Sequence, residues 1–95
     1  MTTVELTRFR TRPGAADELL AARPGMLQSF RDDRVGFVRA DLVRLADDEW
    51  LDVVLWASAG DRAASAEKGA NSPEIAAFFA PIIELVSAED GDLVD

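Results

Sequence analysis

The chain has 95 residues, a net charge of −8 and no cysteine, histidine or tyrosine, which excludes a disulfide framework, a thiolate nucleophile and the commonest general base and metal or haem ligand. The charge is uneven: residues 1–46 carry eight arginines against six acids, while residues 47–95 carry Arg62 and Lys68 against twelve acids, a pattern that argues against nucleic acid or an anionic membrane as partner. No apolar run approaches the roughly 20 residues needed to span a bilayer, and no basic stretch followed by an apolar one marks a signal peptide, so a single cytoplasmic domain over residues 1–95, with no metal or cofactor, is expected.

Val4 to Thr11 alternates as a strand, with Val4, Leu6, Arg8 and Arg10 opposite Glu5, Thr7 and Phe9. Arg12-Pro13-Gly14 ends it in a turn. Ala16, Leu19, Leu20, Met26, Leu27 and Phe30 then recur at helical spacing, predicting a helix from about Ala15 to Asp32. Pro24-Gly25 is expected to kink or split it, bending it around a sheet.

Val35 to Ala46 reads as the second strand, with Gly36 marking a bulge or a close approach at its start. Asp47-Asp48 reads as a tight turn into Trp50-Leu51-Asp52-Val53-Val54-Leu55-Trp56, a strand with two unlike faces. Leu51, Val53 and Leu55 form an aliphatic face; Trp50, Asp52, Val54 and Trp56 form a polar-aromatic one. If Ala46 pairs with Glu49, regular pairing sets Val43 opposite Asp52, Asp41 opposite Val54 and Arg39 opposite Trp56. Phe37, Arg39 and Asp41 then share the polar-aromatic face. A one-residue slip reverses the arrangement.

Ser58 caps a further helix, Ala59 to about Ala70, with Asp61 in its first turn. Gly69 or Asn71 supplies its left-handed cap. Ser72-Pro73-Glu74 restarts the helix, and Ile75, Phe78, Phe79, Ile82 and Ile83 form its apolar stripe until Pro81 ends or bends it. The last strand is expected from about Leu85 to Val94, with a bulge at Gly91 and a solvated acidic end at Glu89, Asp90, Asp92 and Asp95.

The order β-α-β-β-α-β is the α+β, ferredoxin-like split βαβ arrangement: a four-stranded antiparallel sheet with its helices on one face. The other face must be buried, and with strands this apolar a second copy of the chain is the natural cover, giving a homodimer. A chain this short is also marginal on its own.

This order resembles the antibiotic biosynthesis monooxygenase domain family. The residues that carry the resemblance are Phe9-Arg10-Thr11-Arg12-Pro13-Gly14 closing the first strand, Val35-Gly36-Phe37-Val38 opening the second and Trp50 to Trp56 in the third. The resemblance covers nearly the whole chain. It implies a dimeric α/β barrel, in which two protomers pack their open sheet faces together and each keeps a pocket between sheet and helices. It also implies a cofactor-independent monooxygenase acting on an aromatic, polyketide-like substrate. Trp56 matches the tryptophan that lines the family pocket. Thr7 stands where haem-degrading relatives have an asparagine. Those relatives need a histidine, and quinone-forming relatives use a tyrosine to deprotonate the substrate; this chain has neither.

The candidate catalytic residues are therefore Asp52, as a base, and Arg39, stacked on the ring or holding a phenolate. The candidate substrate-binding residues are Trp56, Thr7, Phe37, Asn71 and Phe79. Six of them also have a plain structural reading: Trp56 and Phe79 as core, Arg39 as an ion-pair partner of Asp41 or Asp52, Asp52 as a structural charge partner, Thr7 as a strand former, Asn71 as a cap. Trp50 reads as core or interface. The same fold also suits a non-catalytic ligand-binding or structural dimer.

Overall fold

Alternating strands and capped helices give the expected α+β order with the second helix in two pieces, in a computed structural model that describes residues 1–94. The elements are β1 (Thr3–Thr11), α1 (Ala16–Asp33), β2 (Phe37–Ala46), β3 (Glu49–Trp56), α2 (Ala59–Lys68), α3 (Pro73–Phe79) and β4 (Ile82–Asp92). The four strands form one antiparallel sheet in the order β2-β3-β1-β4. Asp95 lies outside the described residues.

The helix boundaries follow from local chemistry. Ser58 Oγ accepts from the Asp61 amide at 3.1 Å, and Ser72 Oγ accepts from the Ile75 amide at 3.2 Å. Each serine satisfies one of the free amides at a helix start. Gly69, at φ 58°, is the C-cap of α2, and Asn71 does not take that role. α1 runs unbroken through Pro24. Pro24 has no amide to donate to the Leu20 carbonyl, and both residues lie on the exposed side of the helix, where a backbone acceptor is open to solvent. β4 begins at Ile82, three residues before the expected start.

The polar-aromatic side of β3 is the side the helices cover. Trp50, Asp52, Val54 and Trp56 are buried, and Phe9, Leu19, Met26, Trp50, Ile75 and Phe78 form the core between sheet and helices. Phe9 and Phe78 meet edge to face at 6.3 Å, the arrangement their ring quadrupoles favour. The Trp50 indole N–H donates to Thr11 Oγ1 at 3.3 Å, which places Trp50 in the core. The other sheet face carries Val4, Leu6, Leu51, Val53 and Leu55 at its centre. Arg8, Arg10, Glu49 and Glu84 form an ion-paired border at one end.

The expected β2–β3 register holds only at the turn. Ala46 pairs with Glu49, but Leu45 bulges out and the pairing moves by one residue, so Arg39 lies opposite Leu55, Asp41 opposite Val53 and Val43 opposite Leu51. Val38 is a second bulge, after which Phe37 pairs with Trp56. Arg39 and Asp41 therefore lie on the bare face, 65% and 58% exposed, paired with each other at 3.4 Å. In β4 the irregularities fall at Val86 and Ile83, and Gly91 pairs regularly with Val4. Both bulged strands are sheet edges, where bulges are commonest.

Gly36 opens β2 at φ +79°. A Cβ there would lie 2.6 Å from Asp61 Cβ and closer still to its carboxylate. Since Asp61 Cβ cannot swing away, Gly36→Ala combines left-handed strain with a clash. It should cost about 2 kcal/mol or more, read as a lower urea midpoint at unchanged m-value.

Candidate functional site

α1, α2 and α3 do not fill the space over the Trp56 end of the sheet. A cavity of about 220 Å³ remains there, between β1, β2 and β3 below and the helices above. Val54, Trp56, Phe30, Met26 and Ala40 give it apolar walls, Glu5, Thr7 and Asp52 line its sheet side, and Arg34, Ser65, Ala66 and Gly69 line the helix side. Phe79, 42% exposed, contributes to the lining at the rim.

Trp56 is wedged into a trio of rings. Phe37 meets it edge to face at 5.7 Å, Phe30 lies tilted at 6.2 Å, and Phe30 and Phe37 meet edge to face at 5.6 Å. Phe37 thus supports Trp56 from behind and does not line the cavity. The indole N–H donates to Glu5 Oε1 at 3.0 Å, fixing the plane of the ring.

Asp52 lines the cavity, but its partner is Arg23 of α1. The guanidinium donates from Nη1 to Oδ2 at 2.8 Å and from Nη2 to Oδ1 at 2.9 Å, a buried two-pronged pair. Arg23 also lies over the Phe78 ring, 5.2 Å from its centroid. Of the two ion-pair partners expected for Arg39, Asp41 takes that role on the bare face, while Asp52 is paired by a helix residue that engages both its oxygens. Arg23 sits on the helix stripe between Leu19 and Met26. A cation in that stripe, facing the one carboxylate inside an apolar strand, is the sequence signal for this pair.

Glu5 is the second carboxylate of the cavity and was not singled out from the sequence, although the alternation of β1 sets it on the same side as Thr7 and Phe9. Burial raises its pKa above the ordinary 4.5, against the opposing effects of the Trp56 hydrogen bond and the Arg62 charge. Arg62 Nη2 lies 3.2 Å from Glu5 Oε2.

Asn71 lies outside the cavity. Its side chain accepts from Arg34 Nη1 at 2.8 Å and donates to Asp33 Oδ2 at 3.0 Å. Arg34, the residue that ends α1, also donates to Ser65 Oγ at 2.8 Å and to the Gly69 carbonyl at 2.6 Å. It ties the α2–α3 connection to the end of α1 and so holds the helix-side wall. Hydrogen bonds from Asn71 and Lys68 hold the Asp33 carboxyl down at about 2. Of the seven residues singled out from the sequence, Asp52, Trp56, Thr7 and Phe79 meet at one cavity; Arg39, Phe37 and Asn71 do not line it. Among the described residues, no group of three or more acids has the geometry to hold a metal ion.

The fold recurs in solved structures of low sequence identity. A candidate antibiotic biosynthesis monooxygenase from Bordetella bronchiseptica superposes with a TM-score of 0.83 at 17% identity, over 98% of this chain and 97% of that one. The cofactor-independent oxygenase SnoaB from Streptomyces nogalater gives 0.66 at 22% identity, over 95% and 88%. The heme-degrader MhuD from Mycobacterium tuberculosis, solved with two hemes in its active site, gives 0.68 at 21% identity, over 97% and 95%. No family model and no curated protein matches the sequence. The chain therefore has the ferredoxin-like α+β fold of structures named antibiotic biosynthesis monooxygenases.

Removing one member of the buried pair strands a charge. Arg23→Met should lower stability by about 3–5 kcal/mol in urea unfolding, and the double variant Arg23→Met/Asp52→Leu should recover most of the loss. The depressed Asp33 carboxyl adds stability that is full above its ordinary 3.8 and is lost as pH falls through about 2. Asp33→Asn should therefore flatten the fall in melting temperature between those pH values.

Proposed function

We propose that the protein binds a small phenolic aromatic compound, polyketide-like in its ring chemistry, against Trp56 and directs its reaction with dioxygen to a quinone without metal or organic cofactor. The observation that carries this reading is a flat indole wall in the same cavity as the carboxylates Glu5 and Asp52. The indole face suits a stacked ring. An electron-rich phenol, once ionised, donates electrons to dioxygen itself, so the protein needs only to orient it and manage its proton. The stoichiometry closes on oxygen alone. The ring C–H opposite the hydroxyl becomes C=O, one atom of dioxygen enters the product, and the other leaves as water with the ring hydrogen and the hydroxyl hydrogen.

Sharing a fold with SnoaB, described as a cofactor-independent oxygenase, supports the reaction class. The cavity volume supports a small ligand. At about 220 Å³ it falls below the roughly 300–1,000 Å³ of drug-sized sites, so one or two rings fit inside and a larger substrate extends past Phe79. In this reading the protein works as a cytoplasmic homodimer, the apolar faces around Leu6, Leu51 and Val53 covering each other.

A second reading, a binding protein or structural dimer without turnover, is favoured by one observation: Arg23 engages both oxygens of Asp52. A panel of naphthols and hydroxyanthrones under oxygen separates the two. The oxygenase reading expects quinone above the uncatalysed rate and tryptophan quenching that Trp56→Phe abolishes. Quenching without quinone favours a carrier, and neither favours a structural protein. Light scattering at micromolar concentration should give twice the 10.3 kDa of the chain; a monomer contradicts the homodimer.

A further inference from the structure

Two carboxylates reach the cavity, and they are held in unlike ways. Asp52 is gripped by both nitrogens of one guanidinium, at 2.8 and 2.9 Å, with its side chain 12% exposed. Drawing a proton onto it would unbalance a buried ion pair. Glu5 has one single-point partner on each oxygen, the Trp56 indole N–H at 3.0 Å and Arg62 Nη2 at 3.2 Å. Its side chain is 21% exposed, and each oxygen keeps accepting capacity beyond one such bond. Arg62 is shared with Asp90 of β4 at 3.4 Å, so its charge is not devoted to Glu5.

We propose that Glu5 is the catalytic acceptor of this cavity: it takes the hydrogen bond of the ligand's hydroxyl and, in turnover, its proton. The proposal rests on the phenol-oxidising reading above and names the residue and ligand group that reading leaves open. Trp56 ties the two requirements together, because the indole whose face stacks the ligand ring directs its N–H to Glu5. A ring lying on Trp56 brings its edge, and a hydroxyl there, to the carboxylate. The groups facing Glu5 are Arg62 from α2, Asp90 from β4, and Trp56 and Asp52 from β3. Desolvation outweighs the cation and the indole and makes Glu5 a stronger base than an ordinary glutamate. Its partial exposure gives the proton a way to water. In the reaction the hydroxyl proton passes to Glu5, dioxygen adds at the ring carbon as a peroxide, and the terminal peroxide oxygen takes that proton back from Glu5. Glu5 then takes the hydrogen of the same carbon as the O–O bond breaks and the carbon becomes C=O, and it passes this proton to the departing hydroxide, completing the water.

The test uses the full-length protein, 1-naphthol and 1-methoxynaphthalene, with calorimetry for binding and quinone absorbance for turnover. Wild type should bind the naphthol about tenfold more tightly than the ether, as a charge-assisted hydrogen bond provides. Glu5→Gln should lose most of that preference and roughly 10²–10⁴-fold in kcat. The wild-type rate should rise with pH through a midpoint above 4.5, and Glu5→Gln should lack that limb, leaving only the rise from ionisation of free naphthol. Glu5→Asp should keep the limb at reduced kcat, and far-UV circular dichroism should show both variants folded. Turnover with an unchanged rate and pH profile in Glu5→Gln overturns the role of Glu5 and leaves the oxygenase reading standing. A Glu5-dependent preference for the naphthol without turnover removes the oxygenase reading and leaves Glu5 as the hydroxyl acceptor. Equal binding of both compounds overturns the role of Glu5 alone, and binding of neither overturns both.

Discussion

The buried pair of Arg23 and Asp52 divides the space between sheet and helices. On the Trp50 side of it, Phe9, Leu19, Met26, Ile75 and Phe78 close into a packed core. On the Trp56 side the cavity stays open. A bare carboxylate in the middle of β3 would carry a desolvation cost of several kcal/mol. Arg23 meets it with two hydrogen bonds and stacks on Phe78, fastening α1 to the sheet at the boundary between filled and hollow space. Such a pair adds little net stability, since well-packed apolar residues do as well. What it contributes is position: the height and register of α1 over β3 decide how much room remains beside Trp56.

The same logic extends to the uneven charge of the chain. Arginines of the first half meet acids of the second: Arg8 and Arg10 meet Glu49, Arg10 meets Glu84 and Arg23 meets Asp52. Arg34 divides its guanidinium among Asp33, Ser65, Gly69 and Asn71. The exposed pairs contribute little to stability individually. Together they tie the ends of strands and helices distant in sequence, and they leave the centre of the bare sheet face apolar. The charge asymmetry, which the sequence alone relates only to solubility and partners, is in part internal pairing: Arg8, Arg10 and Arg23 meet acids of the second half, while Arg12, Arg34 and Arg39 pair within the first.

Elements with strong local signals were legible in the sequence. The two serine caps, the Pro73 restart, the glycine at the start of β2 and the two-faced β3 all stand where local chemistry puts them. Register was not legible. Leu45, Val38, Val86 and Ile83 bulge from the edge strands, and each is an exposed apolar residue. An apolar bulge leaves the alternation looking regular while moving every later side chain to the other face. That is why Arg39 was expected beside Trp56 and lies on the opposite side. Arg23 was legible in principle, as a charge within the stripe of Leu19 and Met26. Glu5 was harder, because an acid alternating along a strand looks like a solvated face until the sheet has a covered side.

What the cavity brings together is modest in residue number and specific in arrangement: one indole held by two phenyl rings and a carboxylate, with the second carboxylate already paired. The proposed site for an aromatic ligand lies against Trp56 on the helix-covered side of the sheet. The most direct measurement is a nitrogen-15 correlation spectrum of the two indole N–H groups during titration with 1-naphthol. A ligand stacked there should shift the signal of Trp56 strongly, because its N–H is bonded to Glu5, and leave Trp50, whose N–H is bonded to Thr11 in the core, nearly unchanged. An unmoved Trp56 signal, or shifts confined to Leu6, Leu51 and Val53 on the bare face, would contradict the proposed site.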